Sequence, residues 1–405
     1  VTTPSTKPDP SEHHPGKRKS IAILLIAVIA AMSLWFVSAA VLSDMLAETA
    51  ISSARQAALS SAVQLGFVVG ALASATSGLA DRFDPRRVLM ISAICASLCN
   101  AALIWLPVGG NGAIAMRLLT GALLAGVYPV GMKIVVGWGQ KDRGYLVGVL
   151  VAALTLGSAL PHAVSLLGGA DWRLTVTGAS VASFGAGLLV LGCQLGPFHT
   201  QAARFSPGAV TLAWTNKPVR YAISGYLGHM WELYAMWAWI GAASAAAYAL
   251  HVSPELASDW AKITAFLAIA AGAVACAPAG KAADRFGKAE ITIAAMVLSA
   301  GFAVLSAVTF GVAPWLTLVL AILWGLTIIP DSAQFSALVA DHTPDEFAGS
   351  LMTLQTALGF ALTVVTVQGT PILADFWGWP AVLVVMAMGP IFGIVSMLAF
   401  IRSAK

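Results

Sequence analysis

A short charged loop that occurs twice constrains this chain more than any other feature. Ser77-Gly78-Leu79-Ala80-Asp81-Arg82-Phe83-Asp84-Pro85-Arg86-Arg87 lies between two long apolar runs. Gly280-Lys281-Ala282-Ala283-Asp284-Arg285-Phe286-Gly287-Lys288 lies between two more in the second half of the chain. A pattern that returns in this way marks two copies of one membrane unit, the plan on which many transporters are built. The composition agrees. Of the residues, 59% are hydrophobic and 10% charged, whereas a soluble chain of this size needs a far more charged surface.

A membrane-spanning helix needs about 20 mostly apolar residues. That ruler gives spans near 21–43, 57–80, 88–106, 113–136, 145–167 and 174–195, then 221–248, 260–279, 289–310, 315–339, 348–368 and 379–400. The expected fold is all-α, with twelve transmembrane helices in two pseudo-symmetric six-helix bundles. Residues 1–20 read as a disordered cytoplasmic tail, 21–195 as the N-terminal bundle and 196–220 as a cytoplasmic linker. Residues 221–400 form the C-terminal bundle, and 401–405 a cytoplasmic end. Pro197, Pro207 and Pro218 punctuate the linker, and 208–215 suits a short helix on the membrane surface. Asp171-Trp172-Arg173 opens the sixth span and Gly378-Trp379-Pro380 the twelfth, a further echo of the repeat.

Basic residues set the orientation. With the N-terminus inside, the inner segments hold Lys17, Arg18, Lys19, Arg82, Arg86, Arg87, Lys281, Arg285 and Lys288 among others, while the outer loops hold Arg55, Arg173 and Lys262. Both termini are therefore expected in the cytoplasm, with the protein in the inner (plasma) membrane. The basic cluster ahead of the first apolar run could pass for a signal peptide. That run is too long, however, and no small-residue cleavage site leading into a soluble domain follows it. His13-His14 in a proline-rich tail reads as solvated. Cys95, Cys99, Cys193 and Cys276 all lie in apolar runs and read as buried thiols with no disulfide framework or metal site.

The two loops resemble the signature of the major facilitator superfamily, Gly-x-Leu-Ala-Asp-Arg-x-Gly-Arg-Arg/Lys between the second and third helices, with a weaker copy between the eighth and ninth. The second loop follows it with Gly280, Asp284, Arg285, Gly287 and Lys288. The first keeps Asp81 and Arg82 but departs elsewhere: Gly78 sits one place late, Asp84-Pro85 replaces the glycine turn, and Arg86 and Arg87 close it. The resemblance covers the whole chain as architecture and names no substrate. It implies alternating access between the halves around a central cavity lined by the first, fourth, seventh and tenth spans, and a monomer.

Ionisable side chains inside a span cost roughly 2.5–3.5 kcal/mol on insertion scales, so each asks for a reason. Arg117 and Lys133 lie in the fourth span, His162 in the fifth, His229 and Glu232 in the seventh and Asp331 in the tenth. His229 and Glu232 are three apart and share a helix face that Tyr226 extends, with Trp231 beside them. A carboxylate in low dielectric with a histidine near it can load and release protons, or the pair can simply fix helix packing. Glu232 is the leading proton carrier in this reading, with His229 and Asp331 as assistants.

Arg117 opens an Arg-x-x-x-Gly that resembles the superfamily's fourth-helix motif, where the arginine couples to protons or anchors an anion. Tyr128-Pro129 breaks this span near its middle, and Pro330-Asp331 matches that break in the tenth span, with Gln334 opposite Lys133. Lys133 either faces the cavity or snorkels to the headgroups. It could also pair with Asp331 across an inner gate. Gly157 to His162 resembles a degraded form of the antiporters' Gly-Pro motif, and His162 reads as structural. Arg117, Lys133, Tyr128, Tyr226, Trp231 and Gln334 are the substrate-cavity candidates.

No Walker-type loop, His-Glu-x-x-His or Gly-x-Ser-x-Gly occurs, so neither ATP nor hydrolytic chemistry is expected and the chain does not read as an enzyme. No cofactor, metal or nucleic-acid partner is expected. The nitrate and nitrite porters of the superfamily use arginines on the second and eighth helices, where this chain has Gln64 and Lys262, which disfavours that reading. The expectation is a secondary transporter for a small organic anion or zwitterion, driven by proton symport across the bilayer. The alternatives are a proton-antiport exporter of drugs or metabolites, an uncoupled facilitator, or, from another class, a non-transporting membrane sensor.

Overall fold

The computed structural model describes residues 16–78, 82–139, 142–168, 171–199 and 208–403, and all regular structure among them is helical. Asp81, most of the expected N-terminal tail and part of the linker lie outside the described residues. The N-terminal half holds α1 (Lys17–Met32), α2 (Val37–Ala40), α3 (Leu42–Glu48), α4 (Ser53–Ser77), α5 (Pro85–Ala101), α6 (Asn111–Leu124), α7 (Tyr128–Val136), α8 (Arg143–Leu167) and α9 (Trp172–Leu189). The short α10 (Gly208–Thr215) leads into the other half. This comprises α11 (Lys217–Tyr248), α12 (Pro254–Phe286), α13 (Lys288–Val308), α14 (Pro314–Ile328), α15 (Ser332–Asp341) and α16 (Asp345–Ser403).

Among the described residues, nine helical stretches are long and apolar enough to cross a membrane. The last, Phe347–Ser403, contains both the eleventh and twelfth expected spans. It turns at Gly378, whose φ of 77° suits glycine and strains other residues. Gly359 and Met397, on opposite sides of that turn, both pack on the Gly225–Tyr226 stretch of α11, so the two arms run back alongside one another. The segments α1–α3 and α11 take the places of the first and seventh spans.

Helix starts follow local chemistry. Asp84, Asp171 and Asn216 cap α5, α9 and α11 by accepting main-chain N–H bonds from Arg86, Arg173 and Val219. Pro85, Pro254 and Pro314 sit in the first turns of α5, α12 and α14, where the missing N–H costs nothing. The fourth and tenth spans are interrupted as expected, between α6 and α7 ahead of Pro129 and between α14 and α15 at Pro330. Each half also has a seam of close backbone approach. A Cβ on Gly121 of α6 would strike the Val63 carbonyl of α4, and one on Gly325 of α14 the Ala268 carbonyl of α12. Those are equivalent helix pairs in the two halves, so the repeat extends to packing.

Candidate functional site

In the C-terminal half, Glu232 of α11 is 1% exposed. One carboxylate oxygen accepts from Trp324 Nε1 of α14 at 2.8 Å and the other from Ser299 Oγ of α13 at 2.8 Å. Its neighbour on the same helix face takes different company. His229 Nδ1 lies 2.9 Å from Asp331 Oδ1, at the break between α14 and α15, close enough for an ion pair but not aligned as a hydrogen bond. The His229 ring packs against Tyr226 and Phe335, and its Nε2 has no partner. The helix face that sequence reading treated as one unit therefore contacts two separate polar groups.

Of the remaining cavity candidates, Trp231 faces α16, donating its indole N–H to the Val385 carbonyl at 2.9 Å. Tyr226 is buried against Phe335 and Gly359, and Gln334 is buried in the first turn of α15. Tyr128 and Lys133, on α7, are half-buried.

Arg117 of α6 is fully enclosed within the N-terminal half. Its guanidinium donates to the main-chain carbonyls of Leu34 at 2.9 Å and Trp35 at 2.5 Å, and to Asn100 Oδ1 at 3.0 Å, while its Nε–H has no partner. Asn100 in turn donates to Ser180 Oγ and the Val176 carbonyl of α9. Leu34 and Trp35 lie in the turn that separates α1 from α2. Arg117 thus satisfies two carbonyls freed where the first span breaks, and ties that break to the third, fourth and sixth spans.

The repeated loops are built differently. In the first, Gly78 ends α4 in the left-handed conformation, at φ 64°. Arg86 forks onto Asp84, with Nη2 to Oδ2 at 2.7 Å, and also reaches the Cys193 carbonyl at the end of the sixth span. The Arg86 guanidinium holds the Asp84 carboxyl below its usual range. Arg82 and Arg87 are exposed. In the second, α12 stays helical through Gly280, Asp284 and Arg285 and stops at Gly287, φ 102°, after which Lys288 pairs with Asp341 at 2.5 Å.

Contacts between the halves were not legible in the sequence. Asp44 of α3 and Lys262 of α12 form a largely buried ion pair, Nζ to Oδ2 at 2.9 Å. Ser43 meets Ser258 at 3.2 Å and Ser61 donates to Gln368 at 2.7 Å nearby. These joints cluster at the end of the molecule away from the repeated loops. Nearer the middle, Trp35, Phe36 and Phe67 of the N-terminal half meet Tyr234, Trp237 and Phe360 of the other. Their ring centroids are 4.5 Å apart for Phe67–Phe360, 5.5 Å for Trp35–Phe360 and 5.9 Å for Phe36–Trp237. Aromatic residues in apolar spans carried no signal that distinguished these six from core or interface anchors. Among the described residues, no group of three or more His, Cys, Asp or Glu side chains could hold a metal.

A family model described as Major Facilitator Superfamily matches residues 23–367. No curated protein matches the sequence. Among solved structures, the chain is similar to the nucleoside transporter NupG in a mutant form, with a TM-score of 0.71, 15% identity, and 95% of this chain and 100% of that one covered. It is similar to a D-xylose-proton symporter at a TM-score of 0.70 and 14% identity, covering 95% and 97%. The xylose transporter XylE from E. coli, in a partially occluded inward-open conformation, matches at 0.70 and 12%, covering 94% and 97%.

Proposed function

The chain belongs to the major facilitator superfamily, and from that premise we propose that it is a proton-coupled symporter for a small organic solute, working by alternating access in the inner membrane. The observation that carries the coupling is a set of buried ionisable side chains at the break of the tenth span and beside it: the His229–Asp331 pair, with Glu232 on the same helix. Burying such groups is costly, and in membrane helices they mark ion and proton routes. The structural neighbour described as a D-xylose-proton symporter supports both a small solute and a proton.

Glu232, His229 and Asp331 form the proton-carrying set in this reading. The expected orientation keeps the repeated basic loops and both termini on the cytoplasmic side. An anionic solute needs a cation that faces the cavity, and Arg117 and Lys133 are the candidates for it. With the Arg117 guanidinium facing main-chain carbonyls, one of the two is already engaged and a neutral or zwitterionic solute becomes the better fit.

The test uses proteoliposomes with an external pH-sensitive dye and a panel of sugars, nucleosides, amino acids and carboxylates. External alkalinisation with one solute, abolished in both Glu232→Gln and Asp331→Asn, is the expected outcome. Acidification instead would assign antiport. Solute uptake that survives in both variants with a silent dye would make the protein an uncoupled facilitator.

A further inference from the structure

Four indole N–H groups are satisfied within one half: Trp138 donates to the Gln194 carbonyl, Trp231 to Val385, Trp239 to Val367 and Trp324 to Glu232. Trp35 and Trp237 are 2% and 1% exposed, yet neither indole N–H has a partner. Trp172, also without a formal partner, sits beside the Glu48 carboxylate at a helix end. Trp35 and Trp237 differ from all of these in position, because both rings belong to the aromatic group where the two halves meet. Trp35 packs on Tyr234 at 5.6 Å and on Phe360 across the boundary, and Trp237 packs on Phe36.

A donor left unpaired in a permanent core is a standing cost that native interiors avoid. At a boundary that separates and closes in each cycle, the same donors are exposed with the ring faces whenever the halves part. A solute that accepts two hydrogen bonds and offers a flat face would satisfy both on closure. The six side chains of the group carry no charge. Arg117 touches it only through the Trp35 carbonyl, with Leu34 and Asn100 taking its other donors. An anionic solute held here would lose water against the negative faces of aromatic rings with no counter-ion in the group, which is costly.

We propose that Trp35 and Trp237 are the paired donors of a solute subsite between the halves, and that its ligand is a neutral ring compound bearing hydrogen-bond acceptors. This rests on the transporter reading and names its substrate class.

The test measures binding, not transport, on the full chain purified in detergent. Thermal unfolding is followed with D-ribose, D-glucose, uridine, succinate, alanine and tetraphenylphosphonium, each up to about 10 mM, which reaches ligands bound more weakly than about −4 kcal/mol. Trp35→Phe and Trp237→Phe keep an aromatic ring and delete the N–H. Trp239→Phe makes the same deletion at an indole satisfied within one half.

One of the neutral ring probes stabilises the protein. Its half-saturating concentration rises about tenfold in each of the two boundary variants, as loss of one hydrogen bond of about 1.4 kcal/mol requires, and stays within about twofold in the control. Stabilisation by charged probes alone, by none of the panel, or by a neutral probe that binds both boundary variants as tightly as it binds the wild type overturns the proposal. If either variant fails to fold, the other and the wild-type panel still decide it. A charged solute that drives proton movement in vesicles would leave the transporter reading standing while this one falls.

Discussion

Replacing Arg117 with lysine separates the two uses a buried cation can have in this position. Lysine keeps the charge but lacks the planar fork that serves Leu34, Trp35 and Asn100 together. The expected result is a loss of about 2 kcal/mol of stability, from carbonyls left unsatisfied in a dry interior, read as a lower unfolding temperature in detergent without any solute. If Arg117 instead gripped an anionic substrate, the variant would unfold as the wild type does and show a raised KM. The sequence drew attention to Arg117 through its Arg-x-x-x-Gly setting and its depth in a span. Its partners could not be read there, because main-chain carbonyls of another helix leave no mark on a linear pattern. Glu232 repeats the lesson: spacing put it beside His229, and tertiary packing gave it Trp324 and Ser299.

At the scale of helices, the breaks in the fourth and tenth spans were legible because Pro129 and Pro330 cannot continue a hydrogen-bonded ladder. The break in the first span was not. Residues 30–42 contain neither proline nor glycine, so the interruption comes from what α1 meets rather than from what it is made of. The loop between α4 and α5 gives a local prediction. Asp84 caps α5 and binds Arg86, so Asp84→Ala should cost about 1 kcal/mol. The Asp84 carboxyl is held below its ordinary value chiefly by the Arg86 hydrogen bond. The stabilisation it brings is therefore complete above the ordinary carboxylate value of about 4 and fades as pH falls through the lowered one. Unfolding temperatures of wild type and variant measured from neutral to acid pH should converge at the acid end. A constant gap across the range would mean that the cap acts without its charge.

For the molecule as a whole, hydropathy and the repeated loop were enough to indicate two equivalent bundles, because each bundle is specified by its own helices. How the bundles meet depends on matching two surfaces that no repeat encodes. Asp44 and Lys262 illustrate this, since the pair joins α3, the final helix of the broken first span, to the eighth span. Breaking a buried pair by changing one member leaves the other charge uncompensated, whereas exchanging both restores it. Asp44→Lys and Lys262→Asp should each speed maleimide labelling of a cysteine placed at Ser61, in a background with the four native cysteines changed to serine, by about tenfold or more. The double exchange should bring the rate back toward the parent. Labelling that is equally fast in the double exchange would show that the pair does not hold this face closed.

The break in the first span has a consequence for how the protein is made. The chain emerges from the ribosome in order, and the first span enters the bilayer well before Arg117 has been synthesised. Until the fourth helix arrives, the carbonyls of Leu34 and Trp35 have no guanidinium to meet, and lipid offers them none. A first span facing lipid alone keeps those carbonyls satisfied best as an unbroken helix, so the bend belongs to the assembled bundle rather than to the span by itself.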